Sequence, residues 1–337
     1  MVRVLVTGGA GFIGSNFVRH AIAAHEDWQV TTLDKLTYAG RLENLDGVLD
    51  HPRHRFVKGD VADEAVAAPL VAASDIVVHF AAETHVDRSI ANAGAFITTD
   101  VYGTFVLLEA ARQNPSLRRF VQISTDEVYG SVPSGSSVET DELKPRNPYA
   151  ASKAGADRLA YSYWATYQVP VVITRASNNY GPNQFPEKVI PLFITNLFDD
   201  TPVPLYGDGG NERDWLHVSD HCRAVDLLIE RGVSGEVYNI GGGNQIRNID
   251  LTHRILDLLG KPTSLIRPVT DRPGHDRRYS LDTAKLESVG WRPEVAFDRG
   301  LAETVSWYRE HERWWRPIKD EDPEFRKYYQ GQYGTRA

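Results

Sequence analysis

The stretch TGGAGFIGS at residues 7–15 decides how this chain reads. It follows an apolar, strand-like run at residues 3–7 and opens an amphipathic, helix-like run at residues 15–24. Its glycines fall at Gly8, Gly11 and Gly14. Between a strand and a helix, Gly8 permits the tight turn, Gly11 lets the backbone approach a pyrophosphate, and Gly14 lets the helix pack close to the strand. The helix start then offers free N–H groups and a positive dipole end to phosphates. Asp34 ends the second strand-like run, about 20 residues further on, where a dinucleotide fingerprint places an acid. A carboxylate there accepts from a ribose diol and repels a 2′-phosphate, so NAD is expected rather than NADP. Its neighbour Lys35 works against that repulsion. Asp60, ending the third run, reads equally as an acceptor for the adenine amine and as a strand-end turn residue.

The first half of the chain alternates apolar runs with helical patterns. The runs at residues 3–7, 29–34, 55–60, 75–82, 118–125 and 171–178 are rich in Val, Ile and Phe and lack polar alternation. Strands of a parallel sheet, buried on both faces, look like this. With helical stretches such as 15–24 and 104–113 between them, they predict an α/β fold: a doubly wound parallel Rossmann sheet with helices on both faces. After about residue 180 Pro and Gly become denser, and a strand at 236–240 and a helix at Asn248–Leu259 sit among irregular segments. This predicts a dinucleotide-binding domain over residues 1–180 and, over 181–337, a smaller mixed α/β lobe for substrate. The strand near 236–243 is open to either assignment. Residues 307–333, crowded with Trp, Tyr and charge, read as an amphipathic helix and a packed tail.

Composition narrows the function. At 337 residues, 42% hydrophobic and 24% charged, the chain has ample length for a sizeable core. A net charge of −8 disfavours nucleic-acid and anionic-membrane partners, which want a basic face, but leaves an anionic small molecule open. Cys222 is the only cysteine, so no intrachain disulfide forms. No run of about 18 apolar residues predicts a membrane span, and the opening MVRVLVTGG is a strand rather than a signal region. The expectation is a soluble cytoplasmic protein with no metal site.

Two further stretches carry chemistry. In NPYAASK at residues 147–153, Asn147 can cap a helix and Pro148 can occupy its first turn. Tyr149 and Lys153 are then one turn apart on one face. A phenol is a poor base at its usual pKa near 10, and an ammonium beside it stabilises the phenolate. STDEVYG at residues 124–130 ends the fifth strand, on the sheet edge where ligands of such folds bind. It offers the Thr125 hydroxyl and two adjacent carboxylates, Asp126 and Glu127. Such a pair can keep one acid protonated while the other serves as base. Alcohol oxidation needs neither; elimination of water needs both.

With these stretches, DKLTYAG, HFAAETHVDRSI, NNYGPNQFPEKVIPLF, YGDGGNERDW and GHDRRY make the chain resemble the dTDP-glucose 4,6-dehydratases, of the extended short-chain dehydrogenase family, from the first strand to about residue 315. The resemblance implies that NAD is held, beyond the glycines, by Phe12, Ile13, Asp34, Lys35, Leu36, Thr37, Asp60, Val61, Phe80, Ala81, Ala82, Thr84, Thr99, Tyr149, Lys153 and Asn178. It implies that the sugar nucleotide, dTDP-glucose, is held by Thr84, Thr125, Asn178, Lys188, Val189, Pro204, Leu205, Tyr206, Arg213, Asn248 and residues 271–276, Arg272 and His275 among them. Lys188 and Arg213 also make sense by themselves as local cations for a diphosphate. Catalysis is implied for Thr125, Asp126, Glu127, Tyr149 and Lys153: oxidation at C4, loss of water across C5 and C6, and reduction at C6 with a recycled, tightly bound NAD. Two residues depart from the family pattern: Asp100 stands where Asn is usual, and Ala150 where Ser is common.

Rival readings are a GDP-mannose-type dehydratase, a sugar 4-epimerase on the same scaffold, and a redox-sensing NAD-binding regulator. An epimerase has no use for an acid and a base at C5 and C6, and a regulator would not keep Thr125, Tyr149 and Lys153. Apolar residues beyond one face of the helices at 100–113 and 148–167, which pair across a dimer interface in the resembling family, predict a homodimer.

Overall fold

The computed structural model describes residues 1–334. Seven strands form one parallel sheet: β1 (Val2–Thr7), β2 (Trp28–Asp34), β3 (His54–Lys58), β4 (Ile76–His79), β5 (Arg119–Thr125), β6 (Val171–Ala176) and, from far along the chain, Val237–Ile240. Their order is β3-β2-β1-β4-β5-β6 with Val237–Ile240 outermost beside β6. The order reverses between β1 and β4, which opens a crevice at the carboxyl ends of the strands. The central strands are buried on both faces, as their unbroken apolar runs require: every residue of β4 and of β6 is buried.

Helices cover both faces. Phe12–Ala24 and Val218–Arg231 share one core through Phe17, Ala21, Cys222 and Val225. Glu64–Ala72, Gly103–Arg112 and Pro148–Tyr167 share the other through Val71, Leu107, Ala160 and Tyr163. The large sheet thus takes chain from two places, the first 176 residues and a return at 218–240. His79 is a satisfied core histidine, bonded to Thr7 Oγ1 at 2.7 Å and Thr104 Oγ1 at 3.0 Å. Burial, helped by the charge of Lys153, pushes it down to about 3, so it stays neutral.

Two expected strands end early, and both endings serve the crevice. The run at 75–82 stops at His79, and Phe80–Thr84 leave the sheet to line it. The run at 171–178 stops at Ala176, and β7 (Asn178–Tyr180) pairs instead with β9 (Glu212–His217). Numbering onward, β8 is Val203–Tyr206, β10 the Val237–Ile240 strand, β11 Gln245–Arg247 and β12 Ile266–Val269. The smaller lobe contains the sheets β11-β9-β7 and β12-β8, with helices Val189–Phe198, Asn248–Leu259 and Phe297–Glu310. Its separate core joins Phe193, Trp215, Ile255 and Tyr308 to Trp315, Ile318, Phe325 and Tyr333 of the tail. Burying each large apolar side chain contributes roughly 1.5–3 kcal/mol, so the tail is an integral part of the lobe.

A buried ion pair fixes the helix that carries Tyr149. Arg175 on β6 meets Asp157 through Nε at 2.8 Å and Nη2 at 3.1 Å, and donates to the Tyr129 hydroxyl at 2.7 Å. Such a pair adds little net stability, but losing one partner costs about 3–5 kcal/mol. It locks Pro148–Tyr167, β6 and the 126–129 turn into one register.

Candidate active site

The crevice begins at the glycine turn. Gly8 has φ +69°, and a Cβ there would sit 2.5 Å from Ala81 N; at Gly14 a Cβ would sit 2.2 Å from Gly8 O. Gly11 N–H donates to Gly8 O at 3.1 Å. The helix then starts at Phe12 with no side-chain cap, so its first N–H groups stay free for an anionic ligand. Asp34 Oδ2 accepts from Ala10 N–H at 2.9 Å and Oδ1 from Leu36 N–H at 2.8 Å, which aims the carboxylate along the crevice. Leu36 reaches that position at φ +57°. Burial raises the Asp34 pKa, and these two donors oppose the rise. Lys35 pairs with Asp60 at 2.6 Å, so its charge is taken up away from Asp34. Of the expected dinucleotide residues all but Leu36 line the crevice; Leu36 packs instead against the core behind it. Ser124 Oγ and Asn178 Oδ1 also lie here, buried without a protein partner. A pyrophosphate cradle, a ribose acceptor and unmet polar atoms fit NAD.

At the end of β5, Thr125 turns the chain into the 126–129 turn, its Oγ1 accepting from Glu127 N–H at 3.3 Å and donating to Asp126 Oδ1 at 3.1 Å. The adjacent carboxyls then diverge. Asp126 is 3% exposed and its Oδ2 has no partner. Burial, reinforced by the charge of Glu127, pushes it well above the usual carboxyl range, which favours the protonated acid. Glu127 is half-buried, with Oε2 3.3 Å from Asn147 Nδ2, a neutral donor suited to a carboxylate, and 3.4 Å from the oxygen of the Tyr279 hydroxyl.

Asn147 has a double role, because its Oδ1 caps the catalytic helix by accepting from Ala150 N–H at 2.8 Å. Tyr149 is raised well above 10 by burial, then by Glu127 and Asp100; a hydrogen bond with Thr125 opposes this. Lys153 is buried and donates to Ile123 O at 2.6 Å. Burial lowers its pKa while Asp100 and Asp157 hold it up. Asp100 accepts from Glu83 N–H at 2.8 Å and from Ser152 Oγ at 2.6 Å. Burial raises its carboxyl to about 6, against the pull of Lys153.

A second hollow opens off the first and shares Thr84, Glu127, Asn178 and Lys188 with it. Of the expected substrate residues Val189, Pro204, Leu205, Tyr206, Arg213, Asn248, Arg272 and His275 line it with the shared ones; Thr125 lies in the crevice, and residues 271, 273, 274 and 276 do not line the hollow. Lys188 Nζ donates to Thr84 O at 2.9 Å. Arg213 is clamped by Glu212 O at 2.8 Å and Asp276 O at 2.9 Å, with its guanidinium 4.3 Å from the Tyr279 ring centre. Arg272 lies 3.6 Å from Asp87. His275, pushed down to about 4 by burial and by Arg272, stays neutral and bonds Asp271 at 2.6 Å. Three cations in a mostly buried hollow suit a diphosphate.

Comparison with known proteins agrees with this geometry. A family model described as GDP-mannose 4,6 dehydratase matches residues 5–304. A dTDP-glucose 4,6-dehydratase of Streptomyces niveus is 53% identical over 95% of this chain and 97% of its own. The chain belongs to the dTDP-glucose 4,6-dehydratase family. A solved dTDP-glucose 4,6-dehydratase of Streptomyces venezuelae, with NAD bound, superposes with a TM-score of 0.92 at 54% identity, covering 94% of this chain and 100% of that one. A Thermus thermophilus UDP-glucose 4-epimerase, also with NAD, reaches 0.84 at 33% identity over 91% and 99%. The scaffold alone therefore does not separate dehydratase from epimerase; the Asp126–Glu127 pair has to.

Reading the sequence missed several members of this dehydratase site. Tyr279 lies in the GHDRRY stretch but drew no role; its hydroxyl donates to Asp276 at 2.7 Å as well as reaching Glu127. Glu187, buried in PEKVIP, accepts from the Tyr38 hydroxyl at 2.8 Å and from Arg88 Nε at 3.1 Å, tying the two lobes together. The quoted stretches contained these residues, but nothing local pairs Tyr38 with a residue 149 positions away.

Proposed function

We propose that this enzyme converts dTDP-glucose to dTDP-4-keto-6-deoxyglucose for deoxysugar biosynthesis, with one NAD that stays bound. The observation that carries this is the pairing, beside Tyr149, of a buried Asp126 with a half-buried Glu127 that meets Asn147. NAD, when bound, supplies the hydride acceptor for C4 and donor for C6, and its positive charge favours the Tyr149 phenolate. Thr125 and Tyr149 act on the C4 hydroxyl, Tyr149 taking its proton. The 4-ketone acidifies the proton at C5, which Glu127 removes. Asp126 gives its proton to the C6 hydroxyl, which leaves as water. Lys153, Thr99 and Asn178 hold the nicotinamide side of the cofactor, the Gly8–Gly14 turn its pyrophosphate, and Asp34 and Asp60 its adenosine. Lys188, Arg213 and Arg272 take the diphosphate.

Residues 1–180, with the returning segment 218–240, serve the cofactor, and most of 181–337 serves the sugar nucleotide. The chain works as a cytoplasmic homodimer; exposed Ile97, Tyr102, Phe105, Tyr161 and Tyr167 on the 97–112 and 148–167 helices support the pairing face, and the lone buried Cys222 suits a reducing compartment.

Following hydrogen tests the reaction. With substrate deuterated at C4, product should carry that deuterium at C6 of the same molecule, and in heavy water solvent deuterium should enter at C5. Loss of the C4 label to water would overturn the mechanism; return of the label to C4 would make the enzyme an epimerase.

A further inference from the structure

In the run HVSDHCRAV at residues 217–225, His221 falls with Val218, Cys222 and Val225 on the buried face of the Val218–Arg231 helix. It is fully buried and lines the crevice. His79, the other wholly buried histidine of the large sheet's surroundings, has both ring nitrogens bonded to hydroxyls. His221 has only one bonded, and two hydrogen bonds settle which nitrogen carries the proton. Asn179 Nδ2 donates to Ser177 O at 2.9 Å, so Asn179 Oδ1 is an acceptor. His221 Nδ1 lies 2.9 Å from that Oδ1, so Nδ1 donates and holds the ring proton. Burial pushes the ring down to about 4, so there is no second proton. Nε2 is therefore a bare acceptor, buried and without a hydrogen-bond partner among the described residues. Gln184, bonded to the same Asn179, presents the same chemistry. Its Nε2 donates to Asn179 O at 2.9 Å, which leaves Oε1, also buried and unpartnered among the described residues, as an acceptor. An unmatched buried acceptor is costly, so this wall of the crevice suits a ligand that donates.

The order of the sheet fixes which end of NAD passes this wall. Asp34 and Asp60, at the ends of β2 and β3, lie to one side of β1, where the adenosine goes. The loop after β6 that holds Ser177 and Asn179 lies to the other side, next to Thr125, whose register partner is Ala176. That is the nicotinamide end. A bare imidazole nitrogen repels phosphate oxygens, and it cannot serve a carbonyl oxygen, which has no proton to give. The one N–H donor at this end of the cofactor is the carboxamide on the nicotinamide ring. We propose that His221 Nε2 accepts a hydrogen bond from that carboxamide and so fixes the rotation of the ring. This rests on the placement of the two cofactor ends proposed above. The consequence is chemical: hydride is taken from C4 and given to C6 within one turnover, so the same face of the ring has to stay turned to the sugar throughout.

The test reads bound cofactor rather than turnover. Holoenzyme is incubated with equal, saturating excesses of NAD and its 3-acetylpyridine analogue, a ketone that keeps the carbonyl but has no N–H. When the bound mixture is constant, the dinucleotides are released by denaturation and counted. The parent should prefer NAD about tenfold, the scale of one buried acceptor left unmatched. His221→Asn can keep the bond to Asn179 through its amide N–H but has nothing at the place of Nε2, so its preference should fall to about threefold or less. His221→Gln carries an amide oxygen near that place and should stay within about threefold of the parent. A parent with no preference would overturn the proposal, as would a His221→Asn protein with the parent's preference or a His221→Gln protein as indiscriminate as His221→Asn. A purely structural role would lower the melting temperature of His221→Asn and leave its preference at the parent's value, which is one of those contradicting results. Should His221→Asn not fold, His221→Phe takes its place with the same expectation. Asp34→Ala, at the adenosine end, should weaken both dinucleotides alike and leave their ratio unchanged. A changed ratio there would bring down the placement of the cofactor ends, a failure distinct from any confined to His221.

Discussion

The two halves of the cleft are built differently. The half around the glycine turn is mostly backbone: a tight turn at Gly8, an uncapped helix start at Phe12, and a strand-end carboxylate oriented by the N–H groups of Ala10 and Leu36. The half beyond Glu127 is made of side chains from separated segments, Thr84, Lys188, residues 204–213, Asn248, residues 272–279 and Tyr333. A backbone site is written locally, because glycine spacing and strand ends create it. A side-chain site exists only after the chain has folded. Between the halves the contrast recurs in miniature. Tyr149 and Lys153 share a helix face one turn apart, whereas Asp126 and Glu127 are chain neighbours whose settings the fold drives apart.

The largest expected effect lies on the local, helix-borne side. Tyr149→Phe removes the base for the first step and should lower kcat by about 10³–10⁴-fold, within the range of a general acid–base group. Bound NAD should remain, since the backbone cradle is untouched. A variant with near-parent turnover, or one that loses its NAD, would break the separation between the cofactor cradle and the chemistry.

Asp126→Asn probes the other side. The amide keeps the shape of the buried acid but has no proton to give the departing hydroxyl, so overall turnover should fall about 10²–10³-fold. Oxidation at C4 should persist, seen as a rise in the near-ultraviolet absorbance of reduced nicotinamide after mixing with substrate. Normal dehydration by this variant would show that the two carboxyls are not divided between acid and base.

The smallest effect belongs to Asp100, where the chain departs from its family pattern. Its carboxyl sits at about 6 in the fold against 3.8 in the open chain. The folded state is therefore favoured most below 3.8 and loses stability as pH rises from there to about 6. Asp100→Asn removes that loss and should raise stability at pH 8 by at most about 3 kcal/mol, with little change at pH 4. The amide can still accept from Glu83 N–H and can donate to Ser152 Oγ, whose own proton then goes to Tyr149 O, 2.8 Å away. Removing this negative charge also lowers the Tyr149 pKa, so the acidic limb of the kcat profile should move to lower pH. Melting curves at both pH values and a pH–rate profile check the two signs.

What the sequence could convey follows the same division. The parallel sheet, the glycine turn, Asp34 and the Tyr149–Lys153 face were legible from pattern and spacing, because each is a relation between near neighbours. Asp126 and Glu127 were legible as an acid–base pair from their place after the fifth strand, whereas their division, Glu127 as base and Asp126 as acid, came only from the resemblance: its physical cause is burial under residues far away in sequence and contact with Asn147 and Tyr279, which meet only in the fold. The hollow's Lys188, Arg213 and Arg272 came chiefly from resemblance, since a lone cation has no periodicity to betray it. The tail was expected to pack blandly. It does pack, through Trp315 and Phe325, and its last described turn also carries Tyr333 to the hollow. Aromatic crowding alone does not tell core from wall.

The central claim is that Glu127 is the C5 base and acts only after oxidation at C4. Glu127→Gln keeps Tyr149, Lys153 and the cofactor cradle, and removes only that base. On rapid mixing with dTDP-glucose, the near-ultraviolet absorbance of reduced nicotinamide should rise toward one equivalent per site and persist, while water loss and 4-keto-6-deoxy product stall. Normal turnover would reduce the acidic pair to a solvated turn, and no absorbance rise at all would place Glu127 before oxidation and contradict its role as the C5 base.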